Sequence, residues 1–498
     1  MALASRGQQR AVSLPLVLAL TSISYFMVAL DALVVVTALP AIHHSIGGSI
    51  ATLEWAVNAY ALTFAAGIIT AAALGDRLGR RRVYVAGLVL FTVTSAACAV
   101  APNSGLLITA RALQGLGAAA ITPLALTILA SAFPPERRGA MVGIFGGIGG
   151  LAIAGGPLVG GAVVTGMDWH WIFWVNVPIG IIAAIGSALY LPASRGPATR
   201  LDLPAVPLVA GGAAALTWGL VRAGGSGWSD PWAIAAFVVG AALLAGFVLR
   251  ERLTAEPMLP LRLFGVRTFS AANATGFLVS GAIFSAAFLT AQYFQLGLGY
   301  SPLATGLRLL PWTATPMVVA PLAGALADRI GARPLLITGL LLQAVGLAWV
   351  ASLASAAAGS AGYGRFVIPL VIAGIGVSMA IPTVPTATLG AVPPGDVGRA
   401  SGVSNTMQRF GGAFGIAVVT AVFAAHGHFG SVASFTSGYR PAMVVSAVIS
   451  LLGAIAAIAV GRPPRPADAA PSSAPSAVPA QRAADDVRTA VNSAAPAS

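Results

Sequence analysis

Two stretches decide the architecture: Leu74-Gly75-Asp76-Arg77-Leu78-Gly79-Arg80-Arg81-Arg82 and Leu326-Ala327-Asp328-Arg329-Ile330-Gly331-Ala332-Arg333. Both set Asp, Gly and Arg at the same spacing between long apolar runs. Each follows the second apolar run of a set of six and precedes the third. The repetition predicts two parallel six-helix halves, formed by helices 1–6 and 9–14, with helices 7 and 8 inserted between them. Two such halves around a central path are the architecture of a secondary transporter.

Outward from these loops, a bilayer-length window of roughly 20 residues finds about fourteen apolar runs. They include 14–39, 53–74, 104–132, 171–191, 304–327, 400–424 and 440–461. The expected organisation is a cytoplasmic N-terminus (1–13), a first bundle (14–191), the inserted pair (204–249), a second bundle (268–461) and a disordered cytoplasmic tail (462–498). The tail is rich in Pro, Ala and Ser with scattered charge, and cannot build a core. The run at 14–39 follows Arg6 and Arg10 like the start of a signal peptide. It is too long for a signal core and reads as a retained first helix.

Composition agrees. The chain is 57% hydrophobic and only 8% charged, with 59 Gly and 33 Pro. Such a chain has lipid as its main solvent, and small residues let its helices pack closely. The formal charge of +13 comes from arginine alone, since no lysine is present. Arginines cluster between alternate apolar runs and at both ends of the chain, so both termini are expected on the cytoplasmic side. That pattern fits a membrane better than nucleic acid. Without lysine there is no G-x-x-x-x-G-K-[ST] phosphate loop, so no ATP site and no cofactor are expected. The single Cys98 excludes an intrachain disulfide framework. The Ala, Gly and Arg content suggests a GC-rich bacterial genome, and hence a multi-pass protein of the bacterial cytoplasmic (inner) membrane.

The residues at this point resemble the major facilitator superfamily, in its drug:proton antiporter branch with fourteen helices, over about residues 14–461. Leu74 to Arg82 resembles that family's cytoplasmic loop motif, with Ala72 in place of its first Gly. Leu30-Asp31-Ala32 through Ala38-Leu39-Pro40 resembles the first-helix motif, and Arg111-Ala112-Leu113-Gln114-Gly115-Leu116-Gly117 the fourth-helix motif. Gly156-Pro157-Leu158-Val159-Gly160-Gly161 resembles the fifth-helix antiporter motif, although Ala152 replaces its leading Gly. Trp169-His170-Trp171-Ile172-Phe173 with Asn176 and Pro178 resembles the entry to helix 6. Ser401-Gly402 with Asn405, Gln408, Arg409, Gly411 and Gly412 fits the same branch. The resemblance implies an inner gate at Asp76, Arg77, Gly79 and Arg80, with Asp328, Arg329 and Arg333 acting similarly. It assigns Gly156, Pro157, Gly160 and Gly161 to antiport and leak control.

Asp31 carries the most chemistry. An ionisable group inside a membrane helix is costly and marks function by default. Asp31 and Arg111 lie at the same depth, each about 12 Å below the outer surface at roughly 1.5 Å per residue. A carboxyl balanced between burial and a nearby guanidinium can take and release a proton. The competing assignment is a fixed ion pair that only orients helices. Glu54 at the start of helix 2 reads as a proton relay or, more simply, as a carboxylate at a helix N-terminus. Tyr25, Phe26, Asn58, Gln114, Gln292, Gln295, Asn405, Gln408 and Arg409 are cavity candidates, with helix–helix glue as the alternative for each. The five histidines are expected in outer loops, without a metal. The glycine runs at 115–120 and 143–161 mimic dinucleotide fingerprints but lie in membrane-length apolar runs, where helix packing explains them.

The expected function is proton-coupled antiport, exporting a hydrophobic or amphipathic drug, antibiotic or metabolite by alternating access. Cargo and proton would couple through a cavity containing Asp31. The expected partners are the small-molecule substrate, protons and the bilayer, with no nucleic acid and a monomeric chain. The alternatives are a proton-coupled symporter for a small nutrient, or a membrane-embedded enzyme or channel.

Overall fold

The computed structural model describes residues 13–47, 50–195, 204–254, 257, 261–354, 362–393, 396–428 and 431–461. The side chains of Glu54 and Asp328 lie outside the described set. The tail at 462–498 and the terminus at 1–12, both subjects of expectations above, lie outside it as well.

All regular structure among the described residues is helical. The first half runs α1 (Leu14–Ile46), α2 (Ile50–Leu78), α3 (Arg80–Ala99), α4 (Ser104–Ala132), α5 (Pro135–Gly166), α6 (Trp171–Trp174) and α7 (Asn176–Tyr190). Two helices follow, α8 (Ala205–Ser226) and α9 (Pro231–Leu253). The second half runs α10 (Arg267–Gln292), α11 (Pro302–Thr313), α12 (Thr315–Ile330), α13 (Ala332–Leu353), α14 (Gly364–Leu389), α15 (Val397–His426) and α16 (Val432–Ala457). Among the described residues twelve helices are long and apolar enough to cross a bilayer, or thirteen with the bent α2 counted. In that count α6 joins α7, and α11 joins α12, as single spans. α5 is a further helix of 32 residues, which keeps the order compatible with fourteen spans.

Local chemistry explains where the helices differ from expectation. α1 continues past 39 to Ile46 because Pro40 is accommodated inside the helix, which carries His43 and His44 on the helix rather than in a loop. The run at 304–327 is broken at Ala314. Pro316 has no N–H to give, and its ring displaces the carbonyl four residues earlier. α16 begins at Val432 rather than near 440, because the Ser431 hydroxyl caps it by accepting from the Ser434 N–H at 3.2 Å. Arg440 is therefore within a helix. His426 likewise closes α15.

The loop repeat is visible in the backbone. Gly79 between α2 and α3 has φ +110°, and Gly331 between α12 and α13 has φ +85°. Both sit in the left-handed region that excludes most side chains, so the shared glycine makes the same reversal in each half.

Within the halves, helices approach on small residues. A Cβ on Gly117 of α4 would lie 2.8 Å from the Phe91 nitrogen of α3, so these backbones are in direct contact. This accounts for the glycines of the fourth-helix stretch as packing. Between the halves, α5 packs on α11 and α2 packs on α15. The inserted pair forms its own hairpin, and α8 also packs on α2 and α15. Asp230 ties that hairpin together. It caps α9 by accepting from the Trp232 and Ala233 N–H groups at 2.9 and 3.0 Å. It also accepts from Arg222 of α8 at 3.2 and 3.3 Å. The Arg222 bond, with help from the two cap N–H groups, holds the Asp230 carboxyl below its usual range.

Candidate transport site

α1 and α4 bring Asp31 and Arg111 together. Arg111 Nη1 lies 2.5 Å from Asp31 Oδ2, and both side chains are 1% exposed. Other side chains complete the pair. Asn176 Nδ2 and Gln114 Nε2 donate to Asp31 Oδ1 at 2.9 and 3.1 Å. Gln114 Oε1 accepts from Arg111 at 2.7 Å, and the Ala56 carbonyl accepts from Arg111 Nε at 3.0 Å. Ser95 Oγ takes further N–H bonds from Gln114 and Asn176. The guanidinium also sits 4.1 Å over the Tyr60 ring. An ion pair so deep holds only when its remaining donors and acceptors are also satisfied. Asn176 and Ser95 are thus site residues that the sequence left unassigned. The signal was present in Asn176, an amide opening an apolar span. Asn176→Ala is expected to lower stability by about 1–3 kcal/mol, the cost of removing a buried donor from a charged acceptor. Thermal unfolding in detergent measures it, and an unchanged midpoint would contradict the bond.

A cavity of about 310 Å³ lies between the halves. Asp31 does not line it, contrary to expectation. Leu33, Val36 and Thr37 of α1 do. At about 100° per residue, Asp31 is some 200° round the helix from Leu33 and turns into the first bundle instead. Gln114 belongs to the Asp31 network, and Asn58 is buried within the bundle. Phe26 packs beside the apolar core. Of the sequence candidates, Tyr25, Asn405, Gln408 and Arg409 line the cavity, and so does Pro157. Ser401, Ser404, Asn405, Gln408 and Arg409 recur at helical spacing, so α15 presents a polar stripe to a mostly apolar chamber, with Tyr25, Thr37, Ser280 and Thr313 as scattered polar groups. Arg409 lies near the middle of α15. Its guanidinium stacks 4.3 Å over Phe64 of α2. Phe64 meets Tyr60 edge-on at 5.7 Å. A column of Arg111, Tyr60, Phe64 and Arg409 thus connects the buried carboxylate to the cavity.

The cavity lining reaches Leu389, at the end of α14, and Ser401, near the start of α15. By the alternation of the spans, this side also carries Arg262, Arg267, Arg329, Arg333 and Arg399, although Arg365 opens the other end of α14. On the opposite side the halves are closed. Gln292 and Gln295 donate across them to the carbonyls of Val36 and Thr37, at 3.4 and 2.9 Å. Both glutamines are therefore cross-half ties, not lining. The Leu303 N–H donates to Thr165 Oγ1 at 3.0 Å. A Cβ on Gly161 would strike the Pro302 carbonyl, and one on Gly306 would lie 2.8 Å from Leu158 Cα. Gly160 meets the α1 backbone in the same way at Val34, and Gly156 meets the Leu33 side chain. The fifth-helix glycines thus permit backbone contact between α5 and both α1 and α11.

At the repeated loops, Asp76 pairs with Arg80 at 2.7 Å. The Arg80 N–H and Arg81 Nη1 donate to the Ser194 and Leu191 carbonyls, fastening the start of α3 to the chain after α7. Arg77 and Arg329 are exposed and Arg333 is half-buried.

Comparison with known proteins fits this geometry. The family model described as "Major Facilitator Superfamily" matches residues 21–300 and 273–492. The multidrug resistance protein Stp of Mycobacterium tuberculosis is 36% identical over 412 residues, covering 82% of this chain and 76% of its own. The cephamycin export protein CmcT of Amycolatopsis lactamdurans is 36% identical, covering 91% of this chain and 92% of its own. A POT family transporter, solved with 5-aminolevulinic acid, has the same fold at 14% identity. That likeness has TM-score 0.65 and covers 90% of this chain and 96% of the other. Its fold and relatives are those of membrane transporters, which are not enzymes, and the chain belongs to the major facilitator superfamily.

Proposed function

We propose that the chain exports a hydrophobic or amphipathic compound (a drug, antibiotic or metabolite) across the bacterial cytoplasmic membrane in exchange for protons. The observation that carries this is Asp31, a carboxylate buried in mid-span and joined by the aromatic column to a separate cargo cavity. A proton arriving at Asp31 neutralises the partner of Arg111 and frees the guanidinium to shift against Tyr60. Movement of that column alters the cavity wall at Arg409. The arginine-rich side is taken as cytoplasmic, so the chamber described above is inward-facing, with the outer side shut by α5–α11 and α1–α10. Asp76, Arg77, Gly79 and Arg80 then form a gate that closes when the chamber opens outward, with Asp328, Arg329 and Arg333 in the second half. The names of the relatives, a resistance protein and an export protein, support the outward direction. A proton gradient supplies the energy and no ATP site is needed. The test is a susceptibility panel of amphipathic antibiotics in an efflux-deficient host. Expression is expected to raise resistance to at least one compound and lower its accumulation. Increased accumulation of every compound that responds would instead establish uptake.

A further inference from the structure

The cavity wall is electrically one-sided. Among the described residues that line it, Arg409 is the one cation and none is Asp or Glu. The described carboxylates near other arginines are already engaged: Asp31 with Arg111, Asp76 with Arg80, Asp230 with Arg222 and Asp396 with Arg262. Arg409 has the face of Phe64 at 4.3 Å, which steadies the cation but takes none of its N–H bonds. Five guanidinium N–H groups thus stand at the edge of an apolar chamber without a protein carboxylate. A desolvated cation is costly unless paired. A cation fixed by stacking, with its fork free, is suited to an oxyanion that can accept two N–H bonds at once.

The rest of the wall states what must accompany that anion. Gln408 and Asn405 flank Arg409 on the same stripe, offering amide groups beside the charge. Phe284, Ile381 and Val384 offer only apolar surface, and Trp312 adds an indole ring. We infer that the cavity selects an amphipathic cargo with an apolar ring body and one anionic group, a carboxylate or sulfonate, which pairs with Arg409. The inference rests on the cavity being the cargo site, and it narrows the cargo class from any amphipathic compound to anions. It also gives the aromatic column a second input. An anion that draws Arg409 from Phe64 acts on the same stack that Asp31 holds at its other end through Arg111.

The test uses two fluorescent probes with a common scaffold, anilinonaphthalene sulfonate (anionic) and phenylnaphthylamine (neutral), titrated into full-length protein in nanodiscs. Wild type is expected to bind the sulfonate at least about tenfold more tightly than the neutral probe, the scale of one charge-assisted pair. Arg409→Gln is expected to remove that preference, and Arg409→Lys, which keeps the charge but not the fork, to retain part of it. Affinity for the neutral probe should change less than about threefold in both variants. Equal affinity of wild type for the two probes overturns the inference, and this comparison requires no variant to fold. Sulfonate binding unaffected by Arg409→Gln overturns it equally. Proton-driven flux that survives Asp31→Asn would remove the exchange mechanism and leave the anion preference standing. Charge-blind binding would do the reverse.

Discussion

Asp31→Asn is expected to reduce proton-driven flux at least about a hundredfold while the protein still inserts in the membrane. Asn matches Asp in shape and can still accept from Arg111 through its amide oxygen. It cannot bind and release a proton. It also leaves the buried guanidinium without its counter-charge, and breaking a buried pair by one partner typically costs about 3–5 kcal/mol. The variant should therefore unfold at lower temperature, and Asp31→Asn combined with Arg111→Gln should recover part of that loss without recovering flux. Exchange of labelled cargo at equal concentration on both sides requires no proton and is expected to persist. A variant that exchanges cargo but cannot be driven by a gradient separates coupling from folding. Undiminished driven flux would make the Asp31–Arg111 pair a helix-orienting contact only.

Gly306→Val carries the second large effect. In the present state the α5 and α11 backbones touch at Gly161 and Gly306, with no room for a side chain. Overpacking such a contact costs about 1–3 kcal/mol. That cost falls only on the conformation in which the outer side is closed, so it moves the conformational balance towards outward opening by about fivefold to a hundredfold. Transport requires both conformations, and flux should drop at least about tenfold. The shift is measured by maleimide labelling of Thr305→Cys, beside that contact on α11 and fully buried in the present state. The one native cysteine, Cys98, is buried and contributes little background. Labelling should accelerate in Gly306→Val. Equal labelling and equal flux would mean that the glycine contact is not the outer closure.

The spans are legible in the sequence because the bilayer imposes a length, and because few charges interrupt them. The limits of α4 agree with the run at 104–132 for that reason. The duplicated loop is legible because each copy needs a glycine at positive φ and arginines on one side. The sequence allows Asp31 and Arg111 an ion pair or a shared water cavity; α1 runs past 39 to Ile46, so the depth estimate itself does not hold, and the geometry shows the pair at 2.5 Å. Rotational phase is what one sequence conceals. A helix surrounded by lipid and by apolar neighbours is hydrophobic on nearly every face, so no amphipathic stripe shows which way Asp31, Gln114 or Gln292 points. Asp31 was thus expected in the cavity and lies on the opposite face of α1. Where a helix does carry a stripe, as α15 does from Ser401 to Arg409, the lining residues can be read from the chain. Tyr60 and Phe64 escaped notice because aromatic residues in a membrane helix look like ordinary core until a guanidinium is found against each.

Proton exchange itself is tested by purified protein in proteoliposomes loaded with anilinonaphthalene sulfonate, with the pH gradient imposed and then collapsed by a proton–potassium exchanger. Gradient-driven movement of the probe should occur in wild type, stop on collapse, and be absent in Asp31→Asn. Movement that continues at the same rate after collapse, or that is unchanged in Asp31→Asn, would contradict proton-coupled export through this site.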